Sequence, residues 1–238
     1  SISKQNKIFR NFIGMGYYNS FTPNVILRNI LENPGWYTSY TPYQPEVAQG
    51  RLEMLLNFQQ LIIDFTGMDI ANASLLDEAT AAAEAVGLSQ RLDKNDSKKI
   101  FVSSSCNPQT IDLIKTRTEP FGLELIIGNE KEDLANISEN IICGVLAYPG
   151  TLGDIQDPSE SISQIHKKNG KAILICDLLA LTRLKTPAEL GADIAVGSAQ
   201  RFGIPMGYGG PHAAFFATKE EFKRSMPGRI IGVSVDRH

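Results

Sequence analysis

Cysteine is scarce in this chain: Cys106, Cys143 and Cys176 are the three among 238 residues. Their odd number and wide spacing suggest neither a disulfide framework nor a CxxC metal site. Cys143 and Cys176 lie in apolar runs and read as buried free thiols, which suits a reducing compartment. Histidine is equally sparse: His166, His212 and His238 stand far apart and form no HExxH-type zinc pattern. No apolar run approaches the length of a membrane span. The polar start, Ser1-Ile-Ser-Lys-Gln-Asn-Lys7, has no signal-peptide core. Net charge is −3 with no basic stripe, which speaks against nucleic acid as a partner. The chain begins with Ser and stops at Val233-Ser-Val-Asp-Arg-His238 without a closing helix, so a fragment of a longer protein is expected.

What is present is ordinary globular material, 42% hydrophobic and 21% charged, long enough for one large domain with an arm. Residues 1–46 differ from the rest. Ile8 to Tyr18 is aromatic with two glycines. Thr22-Pro23 predicts a short helix with Thr22 as N-cap, Val25, Ile26, Leu27 and Ile30 forming its buried stripe. Asn33-Pro34-Gly35 ends it. Trp36 to Pro45 then holds four aromatics and two prolines in ten residues, too many prolines for a helix or a central strand. An extended arm is expected, lying either on its own domain or at an interface.

From residue 47 a large domain is predicted. Leu52, Leu55, Leu56, Gln59, Ile62 and Ile63 recur at helical spacing over Glu46–Phe65, closed by Thr66-Gly67. A small-residue helix covers Ala81 to Arg91, its alanines allowing close approach to a sheet. Strands are expected at 100–103, 123–127, 141–147, 172–176, 193–197 and 213–217, with helices at 108–118, 158–168 and 219–226. Apolar strands alternating with helices imply an α/β fold with a mostly parallel sheet covered on both faces.

In such sheets ligands sit beyond the C-terminal strand ends. Asp177 follows an apolar strand directly. It fits the carboxylate that pairs with the pyridinium of pyridoxal 5'-phosphate, or an ordinary cap of the next turn. The amine that would form a Schiff base should follow the next strand, but Ser198-Ala-Gln200-Arg201 has no lysine there, and a guanidinium is no substitute. The turn expected to cradle a phosphate reads Ser74-Leu-Leu-Asp-Glu78, with two carboxylates that would repel it. Gly197 to His212 (GSAQRFGIPMGYGGPH) is a glycine-rich loop between two strands, either a plain hairpin or a place of close approach. A dinucleotide site, prompted by Gly14-Met-Gly16 and Gly207-Tyr-Gly-Gly210, ranks last, because neither stretch sits between a strand and a helix of a βαβ unit.

Phe12–Tyr18, Tyr40–Arg51, Ala71–Glu78, Pro108-Gln-Thr110, Asp177–Leu181, Gly197–His212 and Met226-Pro-Gly-Arg229 together resemble the N-terminal half of the P-protein family of the glycine cleavage system, the glycine decarboxylases. The resemblance covers nearly the whole chain. It implies a fold-type I pyridoxal-phosphate transferase fold whose C-terminal small domain is absent. It also implies two homologous halves, fused or separate, of which the companion C-terminal half carries the lysine and most of the cofactor contacts. Gln200 stands at the lysine position, so no catalytic residue and no metal ligand is expected here. Asp177 marks a degenerate cofactor site. Asn107 replaces the histidine the family often has before Pro-Gln-Thr. Glycine as substrate, a lipoylated H-protein as acceptor and a dimeric assembly are implied, in the cytoplasm of a bacterium or the matrix of a mitochondrion. In this fold the site lies between subunits, so Tyr40, Tyr43, Tyr208, Gly209, Gly210 and His212 are the residues expected to reach the companion's site. The alternative is a non-catalytic structural partner that only stabilises the active half.

Overall fold

The computed structural model describes residues 1–38 and 41–235. Seven strands form one sheet in the order β1-β7-β6-β5-β4-β2-β3. They are β1 (Ile70–Ala71), β2 (Lys99–Ser103), β3 (Glu124–Gly128), β4 (Cys143–Tyr148), β5 (Lys171–Cys176), β6 (Ile194–Ser198) and β7 (Ala214–Thr218). Strands β3, β2, β4, β5 and β6 run parallel, and β7 returns antiparallel beside β6, pairing Ser198 with Ala214. Of the Gly197–His212 stretch, Gly197 and Ser198 end β6 and the rest is the connection of a hairpin.

The sheet is parallel because helices intervene between its strands, and every helix after the first buries residues of one face. These are α1 (Asn24–Ile26), α2 (Pro45–Thr66), α3 (Glu78–Leu92), α4 (Pro108–Thr118), α5 (Asp133–Asn136) and α6 (Ser159–Lys167). Neighbouring strand residues point to opposite faces. Leu174 and Phe215 join Ile62 of α2 and Ile165 of α6 in one core, and Ile173 and Phe216 join Ala82 of α3 and Ile114 of α4 in the other. Ala81, Ala82 and Ala85 are fully buried, so the small-residue helix packs its backbone close to the sheet. Gly67, at φ 68°, ends α2 in the left-handed conformation, as the sequence predicts.

Most boundaries fall within two residues of the sequence reading. The alanine helix starts earlier, at Glu78, because Asp77 caps it: its Oδ1 accepts from the Thr80 N–H at 2.8 Å. The two-residue β1 and the short α5 carry too few residues to show a period. The 219–226 segment forms 3-10 turns over Glu220–Ser225.

The arm departs from expectation at its helix. Thr22 is not the N-cap; its hydroxyl donates instead to the Gly203 carbonyl. Helix α1 starts at Asn24 after Pro23 and continues as a π-helical turn over Leu27–Leu31. The expected buried stripe is exposed: Val25 by 62%, Ile26 by 42%, Leu27 by 43% and Ile30 by 40%. Apolar spacing predicts which face seeks cover, but not whether this chain supplies it. Trp36, Tyr37 and Tyr43 are likewise exposed. The far end of the arm is held by Arg229, which donates to the Pro42 carbonyl at 2.9 Å and lies 4.7 Å from the Tyr43 ring centre. Arg229 is itself fixed by a strap after β7, where Gln59 exchanges two hydrogen bonds with the Ile231 backbone.

Candidate functional site

Five segments converge at the C-terminal edge of the parallel strands: the ends of β4, β5 and β6 and the first turns of α3 and α4. They enclose a cavity of about 40 Å³ lined by Gly16, Tyr18, Glu78, Asn107, Asp177 and Gln200, among others. Strand β5 delivers Asp177. Its carboxylate is engaged from within the chain: Arg201 Nε donates to Oδ1 at 3.0 Å and Nη2 to Oδ2 at 2.9 Å. The Leu179 N–H also donates to Oδ1 at 3.0 Å, the pattern of a loop-capping aspartate. A forked guanidinium–carboxylate pair of this kind is among the stronger polar contacts in proteins. The Arg201 carbon lies 4.0 Å from the Tyr18 ring centre, so the cation is sandwiched between a carboxylate and an aromatic face. Burial raises the Tyr18 hydroxyl pKa, with the Asp177 charge adding to it and Arg201 opposing.

Gln200 follows β6 and is 1% exposed. Its Nε2 lies 3.0 Å from Tyr18 O, 3.0 Å from Ser20 Oγ and 2.5 Å from Ile204 O, so its two N–H groups are shared among three acceptors. Its Oε1 is buried with no hydrogen-bond partner among the described residues. Glu78 occupies the first turn of α3, where a phosphate would be sought. Asn107 donates to it at 3.0 Å, and burial raises its pKa above the ordinary carboxylate value despite that bond and one from the Ser198 backbone. A carboxylate therefore already sits at this helix N-terminus.

Pyridoxal phosphate does not fit this edge. A benzene-sized ring alone needs a cavity on the order of 150 Å³, against about 40 Å³ here. The Asp177 carboxylate is taken by Arg201, no lysine lines the cavity and Gln200 offers it only an amide, and the first turn of α3 holds Glu78. Sequence reasoning found Asp177, Gln200 and Glu78. It missed that Arg201 and Tyr18 fill the space, because Tyr18 lies far away in sequence and nothing local marks it.

The remaining candidates lie elsewhere. Tyr208, Gly209, Gly210 and His212 are together on the β6–β7 connection, beside a groove of about 1650 Å³ that Ile8, Phe12 and Tyr17 of the arm also line. Tyr208 is 81% exposed at φ 54°, and Gly209 is at φ 91°. Tyr17 meets His212 edge-on, with centroids 5.5 Å apart. Because the Gly210 carbonyl can only accept, His212 Nδ1 donates to it at 2.7 Å, and a neutral ring then carries its lone pair on Nε2, which is buried without a partner among the described residues. Tyr43 stands at the other end of the arm, not beside this cluster. Tyr40 lies outside the described residues. Among the described residues, no cluster of three or more His, Cys, Asp or Glu could hold a metal ion, and no helix is long and apolar enough to cross a membrane.

A family model described as the glycine cleavage system P-protein matches residues 1–238. The chain is 80% identical over 237 residues to a glycine dehydrogenase (decarboxylating) of Pelagibacter ubique, covering 100% of this chain and 25% of the other. It is 60% identical over 236 residues to a mitochondrial glycine dehydrogenase (decarboxylating) of Flaveria anomala, covering 99% and 23%. It spans about a quarter of the length of these curated relatives. A crystal structure of glycine decarboxylase (P-protein) of the glycine cleavage system, in inhibitor-bound form, superposes with a TM-score of 0.90 at 34% identity, over 99% of this chain and 54% of that one. A sphingosine-1-phosphate lyase from Burkholderia pseudomallei matches at TM-score 0.68 and 11% identity, over 87% of this chain and 54% of that one, which shows the shared fold alone.

Proposed function

The chain belongs to the glycine cleavage system P-protein family, and from that premise we propose that it is the part of a glycine decarboxylase without the Schiff-base lysine, acting on glycine only together with a companion half. Within it, residues 1–46 form an arm and residues 47–238 the large domain of the N-terminal half. Pyridoxal phosphate belongs to the companion, where its ring supplies the electron sink for loss of CO2 from glycine. The aminomethyl group left behind passes to a lipoylated H-protein. A bacterial cytoplasm or a mitochondrial matrix, both reducing, suits the three buried thiols.

The observation that carries this reading is Gln200. It stands where an amine is required, and its amide is committed to three oxygens of the chain itself. This chain's own part is to present the arm and the β6–β7 connection to the companion. Tyr43 and Tyr208 supply exposed hydroxyls, Gly209 and Gly210 let another backbone come close, and His212 braces the arm through its edge contact with Tyr17. The alternative of a purely structural partner is tested by the same residues.

In the full-length protein, Tyr43→Phe keeps the ring that Arg229 covers and removes only the hydroxyl. The expected result is unchanged assembly on gel filtration with glycine decarboxylation slowed ~10-fold, the loss of one hydrogen bond to a charged group. The Tyr208→Phe variant should behave alike. Unchanged kinetics for both would leave this surface with packing alone and favour the structural partner.

A further inference from the structure

The edge that lacks an amine is not left empty; a segment of the same chain lies on it. Residues 15–22 contact the domain along their length, with Tyr17 meeting His212 edge-on. Gln109 Nε2 donates to Met15 O at 2.7 Å. Gly16 packs so closely that a Cβ there would come within 3.0 Å of Asn107 Nδ2. Tyr18 covers Arg201 with its ring and accepts from Gln200 with its carbonyl. Ser20 accepts from Gln200 Nε2, and its hydroxyl donates back to the Gln200 carbonyl at 3.2 Å. Thr22 donates to Gly203 O. The arm before this segment is poorly held: Ile8, Phe9 and Phe12 are between 78% and 93% exposed.

We propose that the former cofactor edge is a docking site for residues 15–22, with Gln200 and Arg201 as the positioning residues that hold the arm in place. The chemistry favours these two side chains. Gln200 offers N–H donors with no charge to desolvate, where an ammonium buried among carbonyls would be costly. Arg201 supplies a planar cation that stacks on one partner while forking onto another. The arm's docking stands on these contacts alone, whereas its consequence for glycine turnover rests on the function proposed above.

Hydrogen exchange of the full-length protein, read on peptides covering residues 15–22 and on β4 to β6, tests the docking. Gln200→Met removes the donors at similar size. Exchange at 15–22 should rise ~10-fold or more, the effect of losing about one net hydrogen bond, with the strands unchanged. Ser20→Ala combined with Thr22→Val removes contacts from the arm side without touching the sheet, so it decides the matter even if Gln200→Met loosens the strands too. Ser20→Thr, which keeps the hydroxyl, should retain the protection that Ser20→Ala loses. Unaltered exchange at 15–22 in the double variant overturns the proposal, as does equal loss in Ser20→Thr and Ser20→Ala. Neither result bears on whether the companion half works with this chain, which the tyrosine variants test separately.

Discussion

Gly197→Ala is expected to cost this protein more than about 3 kcal/mol, beyond the usual ~1–3 kcal/mol of an overpacked core. Gly197 lies in β6, paired with Phe215 of β7. A Cβ at this position would come within 2.1 Å of the Cys176 carbonyl and within 2.8 and 2.9 Å of two Phe215 ring carbons. The ring could shift at some cost, but the carbonyl belongs to the backbone of the neighbouring central strand and cannot. A thermal melt should fall by roughly 10 °C, at 2–4 °C per kcal/mol for a domain of this size. A melt within two or three degrees of the parent would contradict the close approach of β5 and β6 at this point. The sequence places Gly197 where a predicted strand meets the glycine-rich stretch, and its role is packing inside the sheet. The lack of a side chain looks the same in a sequence whether a ligand or another strand takes the space.

Asp193→Ala is expected to cost ~2 kcal/mol, the loss of a buried carboxylate's bonds to charged and polar groups, because the side chains left behind, His166 and Lys219, are 40% and 39% exposed and turn to water. Asp193 is 4% exposed just before β6. His166 Nε2 and the Ala172 N–H both lie 2.8 Å from its Oδ2, and Lys219 Nζ lies 2.5 Å from Oδ1. It thereby ties together the end of α6, the start of β5 and the exit of β7. Burial would raise its pKa, but the bonds from His166, Lys219 and Ala172 outweigh burial and lower it from 3.8 to about 2. A carboxylate held below its unfolded value binds fewer protons when folded, so its stabilisation is complete above pH 3.8 and is lost as pH falls towards 2. Urea unfolding of parent and variant should therefore differ most at neutral pH, and the gap should narrow below pH 3.8. A gap independent of pH would mean that the charge of Asp193 contributes nothing.

Much of the fold is legible because its signals are local. The apolar runs at β4 and β5, the alanines of α3 and the Gly67 stop each act through neighbours within one turn or one strand. What was hidden depends on contacts between distant parts of the chain. His166, Asp193 and Lys219 belong to three separate elements. Tyr18 meets Arg201 only after the arm has crossed the sheet edge. The stripe of α1 is apolar in the sequence, but its expected burial depends on a covering surface that the described residues do not supply. At the candidate site, Gln200 and Glu78 told by their chemistry that an amine and a phosphate cradle were missing. That Asp177 is matched by Arg201 rather than left facing an open crevice follows only from the geometry.

The central claim, that this chain has no cofactor lysine, is tested most directly by attachment. The full-length protein is incubated with pyridoxal phosphate and reduced with borohydride, and pyridoxyl-lysine is mapped by mass spectrometry. The expected result is one stoichiometric label outside residues 1–238, with the lysines of this chain at surface background. A stoichiometric label on any lysine within residues 1–238 would contradict the account and place a working cofactor site in the half described as filled by its own side chains.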